Sequence, residues 1–137
     1  MKTFVLLAVL AGAIAAPAVT SEVQVIAHPG IAVAELTADD LKDIFLGTKT
    51  AVGGSTVEPV FEQTGAAHEA FLKTYLGKSD VALRNYFKTL VFTGKGAQPK
   101  AFASDAEVLK YVATTKGAIG YVKASADTAG AKKILVK

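Results

Sequence analysis

Two histidines, His28 and His68, are the residues best suited by type to exchange protons near neutral pH. Neither has the spacing of a metal or acid/base motif, so chemistry at either requires an Asp or Glu delivered by the fold. The chain has no cysteine, which excludes disulfides, thiolate zinc sites and cysteine nucleophiles. Gly94-Lys95-Gly96 lacks the glycine, lysine and Ser/Thr offsets of a P-loop and reads as a helix stop followed by a loop. Tyr75, Tyr86 and Tyr111 fall on helix faces among aliphatic residues, where packing at the core edge is a simpler role than base stacking. No catalytic constellation, metal set or cofactor motif results, and an enzyme is not expected.

One location has a physical reason to bind a ligand. The β-rich run from Val57 to Phe61 passes through Glu62-Gln63-Thr64-Gly65 into a helix N-terminus at Ala66, Ala67 and His68. Unpaired backbone N–H groups and the positive end of the helix dipole favour an anion there, and small residues let it approach the backbone. Ligands in α/β sheets also collect at the carboxyl ends of strands. Thr64, Gly65, Ala66, Ala67 and His68 are therefore the candidate ligand-binding residues. The competing reading is that Thr64 simply caps the helix, and both stand on the sequence chemistry.

The elements that must position this loop follow from pattern. Val23 to Ala27 reads as a buried strand closed by His28-Pro29-Gly30. Thr37 caps a first helix, with Asp40 at the third position, a Leu36/Leu41 staple and Gly47 at its end. Gly53-Gly54-Ser55 is a turn. Val57 to Phe61 is a strand in which Pro59 demands an edge or irregular pairing. Gly65 to Leu76 reads as a second helix, Ser79 caps a third, and Ser104 with Glu107 forms a capping box for a fourth. Ala118 to Val122 and Lys133 to Val136 read as strands. Strands interleaved with about four helices imply an α/β fold with a mixed sheet.

Residues 1–18 read as a signal peptide: Lys2 is basic, 14 of the 18 are apolar, and Ala16-Pro17-Ala18 is a small-x-small site cut after Ala18. Residues 19–137 then form a single domain, about 47% hydrophobic against 51% for the whole chain. No other apolar run is long enough to span a bilayer. The net charge of +3 is too mild to indicate nucleic acid. A periplasmic or secreted location follows as an expectation.

Three segments, in order, resemble one family. Leu36 to Gly47 (Leu-Thr-Ala-Asp-Asp-Leu-Lys-Asp-Ile-Phe-Leu-Gly), Phe92-Thr93-Gly94-Lys95-Gly96 and Gly117-Ala118-Ile119-Gly120-Tyr121-Val122 are similar to phosphate-type periplasmic solute-binding proteins, the second being typical of a short, single-lobe branch. The resemblance runs from about Val23 to Val122. It implies one lobe of a type II periplasmic-binding-protein fold (a PBP-like domain), phosphate or another small oxyanion as ligand, and an ABC transporter or sensor as partner. The family loop is Gly-Ser-Gly-Thr-like, usually preceded by an Arg. Here Gly65, Ala66, Ala67 and His68 occupy it, and Glu62 stands about where the basic residue is expected. A carboxylate there repels a phosphate dianion unless it is protonated. Lys95 would stand in for the missing Arg if it folded over the helix N-terminus. Because the family encloses its ligand between two lobes, a lone lobe implies weak binding unless two chains pair as a homodimer. The alternative is an envelope interaction protein that kept the lobe and lost the ligand.

Overall fold

The computed structural model describes residues 22–137; the leader read at residues 1–18, with its cut after Ala18, lies outside them. In chain order the elements are β1 (Val23–Ala27), β2 (Glu35–Leu36), α1 (Ala38–Leu46), β3 (Ala51–Val52), β4 (Ser55–Thr56), β5 (Glu58–Pro59), β6 (Phe61–Glu62), α2 (Ala66–Phe71), α3 (Asp80–Phe92), β7 (Ala101–Phe102), α4 (Asp105–Thr114), β8 (Ala118–Lys123) and β9 (Lys132–Val136). Five strands form one mixed sheet in the order β2-β9-β1-β8-β5. β1 runs antiparallel to β8 and β9, whereas β2 is parallel to β9 and β5 is parallel to β8.

Strand alternation sorts the core into two faces. Val25 and Ala27 of β1, with Ile119 and Tyr121 of β8, face α1, α2 and α3 through Leu41, Ile44, Phe45, Phe71, Leu83 and Phe87. Ile26, Ala118 and Val122 point the other way, onto Val108 and Val112 of α4. The result is a sheet between three helices and one.

Local chemistry sets the helix ends. The Thr37 hydroxyl accepts from the Asp40 N–H at 3.0 Å, and Gly47 closes α1 in the left-handed conformation. Ser79 accepts from the Ala82 N–H at 3.1 Å. Ser104 accepts from the Glu107 N–H at 3.3 Å, and the Glu107 carboxylate reaches one residue beyond the cap to the Ala103 N–H, 2.9 Å away.

Two elements differ from the sequence expectation. Val57 to Phe61 is not one strand. Glu58 and Val60 donate to the Gly117 and Ile119 carbonyls at 2.8 and 2.9 Å, so Pro59, which has no N–H, faces away from β8 at the edge of the sheet. The chain then leaves this sheet, and Phe61 and Glu62 pair with Ala101 and Phe102 of β7. Gly65 to Leu76 is also not uniform: α2 ends at Phe71 and continues as a π-helical turn, Leu72–Leu76, that buries both Leu72 and Leu76. The two-residue strands β2 and β7 carry too little sequence for periodicity to reveal them.

Gly117, which leads into β8, has φ +83°, and a Cβ there would lie 2.6 Å from the Thr56 carbonyl oxygen. Gly117→Ala therefore combines left-handed strain with a clash against rigid backbone. It should cost about 1–3 kcal/mol in urea denaturation, and an unchanged midpoint would refute the close approach.

Candidate functional site

The loop from β6 into α2 is held by a buried polar chain centred on Tyr121. This residue is 0% exposed and stacks on Phe71 with ring centroids 4.0 Å apart and planes 7° from parallel. Its hydroxyl accepts from the Glu62 N–H at 3.0 Å and lies 2.5 Å from His68 Nδ1. His68 is 3% exposed, and its Nε2 lies 2.9 Å from Asp80 Oδ1. Asp80 Oδ2 receives Arg84 at 2.8 Å. The Asp80 carboxylate only accepts, so with the His68 ring hydrogen on Nε2 the bare Nδ1 accepts the hydrogen bond donated by the Tyr121 hydroxyl. Burial pushes the Tyr121 phenol well above its ordinary range; the Glu62 N–H opposes the shift, and the charges of Glu62, once it ionises in alkali, and of Asp80 add to it. The phenol is a fixed proton donor inside the core, not a nucleophile.

Glu62 is the second buried group, 4% exposed. Burial, then a hydrogen bond to Asp105 and the charge of Asp105, push its carboxyl up to about 8 from an ordinary 4.5, with Lys123 opposing. It is a neutral acid at pH 7. Asp105 opens α4 and Lys123 ends β8, so Glu62 sits where three elements meet.

The five expected ligand residues are contiguous, and they differ in what they offer. Thr64, Gly65 and Ala66 are exposed; Ala67 and His68 are buried. Gly65 is the cap of α2, with φ 109° and no side-chain hydrogen bond, so Thr64 does not cap the helix. The N–H groups of Ala66, Ala67 and His68 belong to the first turn, which has no acceptors within the helix. A Cβ on Gly65 would meet nothing within 4 Å. The His68 imidazole is committed to Tyr121 and Asp80, leaving its backbone to the loop.

Other residues lie elsewhere. His28 accepts from the Gly30 N–H at 3.0 Å in the turn after β1. Lys95 lines a separate groove of about 580 Å³ with Phe45, Tyr86 and Pro99, and it makes no ion pair or side-chain hydrogen bond among the described residues. Tyr86 and Tyr111 sit at the core edge, donating to the Leu46 carbonyl at 2.7 Å and to the Glu58 carboxylate at 2.7 and 2.8 Å. Sequence reasoning missed Tyr121, Asp80, Arg84 and Asp105. The available signal was the phenol in the otherwise apolar run Ala118 to Val122, which must find a polar partner once buried. Beside His68, Asp80 and Arg84 lies a cavity of about 140 Å³ that Glu62, Gln63 and Gln98 also line. No group of three or more His, Asp or Glu able to hold a metal occurs among the described residues.

The mixed sheet carrying three helices on one face and one on the other, with a glycine loop leading from a strand into a helix, has the fold of one part of several solved phosphate-transport binding proteins. The chain superposes on an ABC-type phosphate transport receptor from Vibrio cholerae with a TM-score of 0.65 at 17% identity, over 84% of this chain and 46% of that one. PstS from Borrelia burgdorferi gives 0.64 at 14% identity, over 85% and 47%. A candidate phosphate ABC transporter substrate-binding protein from Clostridium perfringens, with bound phosphate, gives 0.61 at 18% identity, over 84% and 44%. These neighbours are solute-binding proteins, and the chain spans less than half of each. No family model matches the sequence, and no curated protein does.

Tyr121→Phe removes the hydroxyl and leaves the buried His68 Nδ1 and Glu62 N–H without a partner. It should cost about 1–3 kcal/mol by chemical denaturation, and a neutral result would refute the network. Glu62 has a folded value above its unfolded one, so the folded state holds a proton that the unfolded state has released. Its contribution is complete below about 4.5 and is lost as pH rises through about 8. Relative to Glu62→Gln, the wild type should lose stability across that window at up to about 1.4 kcal/mol per pH unit. Parallel stability–pH curves for the two proteins would rule out a buried acid.

Proposed function

We propose that the chain is an exported solute-binding lobe that takes a small oxyanion, phosphate first among them, at the loop Thr64–His68. The N-terminal segment with its cut after Ala18 would deliver it to the periplasm or outside the cell, where it would serve a membrane transporter or sensor. The role is binding, not catalysis. The observation that carries this reading is the α2 N-terminus: Gly65 in a positive-φ conformation with open space above it, and exposed small residues over first-turn N–H groups. The fold shared with phosphate-binding proteins supports it. Neutral Glu62 removes the repulsion that a carboxylate in the family's basic position would impose. Tight binding needs a second face, which a paired copy or a transporter component would supply.

A second reading has its own support. The loop offers only one hydroxyl, on Thr64, and no basic side chain, while His68 is fully engaged. A lobe with these replacements would suit an envelope interaction protein that has lost its ligand.

Thermal melting separates the two. Phosphate at 100 times its dissociation constant should add about 2.7 kcal/mol of stability. Gly65→Val, which fills the space above the helix, should abolish the increment when its own melting is compared with and without phosphate. No shift with phosphate, sulfate or another oxyanion would overturn the binding reading in favour of the second. A shift unchanged by Gly65→Val would move the site away from this loop.

A further inference from the structure

α3 packs one face into the core through Leu83 and Phe87, with Tyr86 and Leu90 packed against it. Its opposite face repeats at helical spacing: Val81, Arg84, Lys88 and Phe92 stand at i, i+3, i+7 and i+11, with Val91 beside Phe92. Three of the four large hydrophobic residues exposed among the described residues lie on this helix. Phe92 is 87% exposed, Val81 66% and Val91 49%. Asp80 opens the helix, and beyond it the charge along the chain has one sign. Residues 81–104 contain no Asp or Glu and hold Arg84, Lys88, Lys95 and Lys100. Arg84 is paired with Asp80, and Lys100 lies 3.6 Å from Glu58. Lys88 and Lys95 make no ion pair among the described residues.

We propose that the outer face of α3, with the Gly94-Lys95 turn that follows it, docks onto an anionic lipid surface. Phe92 and Val91 enter the interfacial region, and Lys88 and Lys95 pair with lipid phosphates on either side. An exposed helix ridge that carries apolar residues at its ends and cations between them can lie in the plane of a headgroup layer. Its long cationic side chains reach outward while their stems cover apolar surface. A fluid headgroup layer accommodates such a ridge without a complementary groove, and its negative charge answers the unpaired lysines. A protein partner would need a shaped acidic cleft. This surface is separate from the Thr64–His68 loop and does not depend on oxyanion binding.

The chain has no tryptophan, so Phe92→Trp in the full-length protein introduces a unique local probe. The membranes are vesicles of phosphatidylcholine alone and vesicles with one third phosphatidylglycerol. On the anionic vesicles, emission from the introduced indole should shift to the blue and be quenched by brominated acyl chains. It should change little on neutral vesicles. Lys88→Glu with Lys95→Glu in the Phe92→Trp background should weaken partitioning at least about 25-fold, on the basis of roughly fivefold for each lysine removed. Circular dichroism verifies that these surface variants remain folded. The apolar leader can carry the full chain onto any vesicle, but it cannot bury an indole at position 92. Unchanged indole emission therefore overturns the proposal even if the protein co-sediments. Equal burial on neutral vesicles, or no response to the charge reversals, overturns it too. A response to polyglutamate without one to anionic lipid would assign the face to an acidic protein instead.

Discussion

A single phenol hydroxyl joins three elements that share no local sequence. Tyr121 projects from β8 into the larger core, stacks on Phe71 of α2, accepts from the backbone of β6 at Glu62, and meets His68, which in turn meets Asp80 of α3. Tyr121, His68 and the Glu62 N–H are removed from water, so each is tolerable only while its partner is present, and the chain reaches solvent at Asp80. Phe45, Phe61 and Phe87 fill the remaining space at edge-to-face distances of 4.7 to 5.7 Å. They hold the ring where its oxygen reaches both partners. The position of the α2 N-terminus is a consequence: β6 and the first turn of α2 are tied to the same oxygen, so the loop between them has its two ends anchored in the core.

That dependence explains which features were legible in the sequence. Helix caps are settled within four residues, and Thr37, Ser79 and Ser104 each take the N–H three positions on. Pro59 marked the sheet edge because a missing donor is a local fact with a global consequence. The strand–loop–helix at Thr64 to His68 was visible for the same reason. His68 was not readable as a core residue, because its partners stand 12 and 53 positions away and only tertiary packing brings them together. Glu62 read as a carboxylate that would repel an anion unless protonated. Its burial beside Asp105 reverses that, and burial at a chain crossing has no signature in a short window. The π-helical turn after Phe71 breaks a periodicity that looked continuous, since the apolar residues of the stretch bury in either register.

The network also narrows what the loop can do. Tyr, His and Asp in series have the residue types of a nucleophile, a base and an orienting acid. Here the phenol is fully buried and its proton is already committed to the imidazole. The phenol is enclosed by the core, and the series ties β6, α2 and α3 together. The His68 imidazole is engaged by the same bonds, so the proposed site would have only backbone N–H groups and Thr64 for recognition. Backbone donors at a helix terminus recognise negative charge well and discriminate among oxyanions poorly. Selectivity would have to come from whatever completes the site on its open side.

The two faces of α3 show how far one scaffold constrains function. On the inner face Leu83 and Phe87 pack against the aromatic cluster around Tyr121, and Asp80 closes the polar chain, so change there is felt at the loop. The outer face takes no part in this packing. Val81, Val91 and Phe92 lie outside the core, and exposing them gains nothing for the fold; a polar residue at any of the three positions would leave the core intact. Apolar residues exposed on a face that folding does not need, beside Lys88 and Lys95, which make no ion pair among the described residues, are best accounted for by contact with something outside the chain.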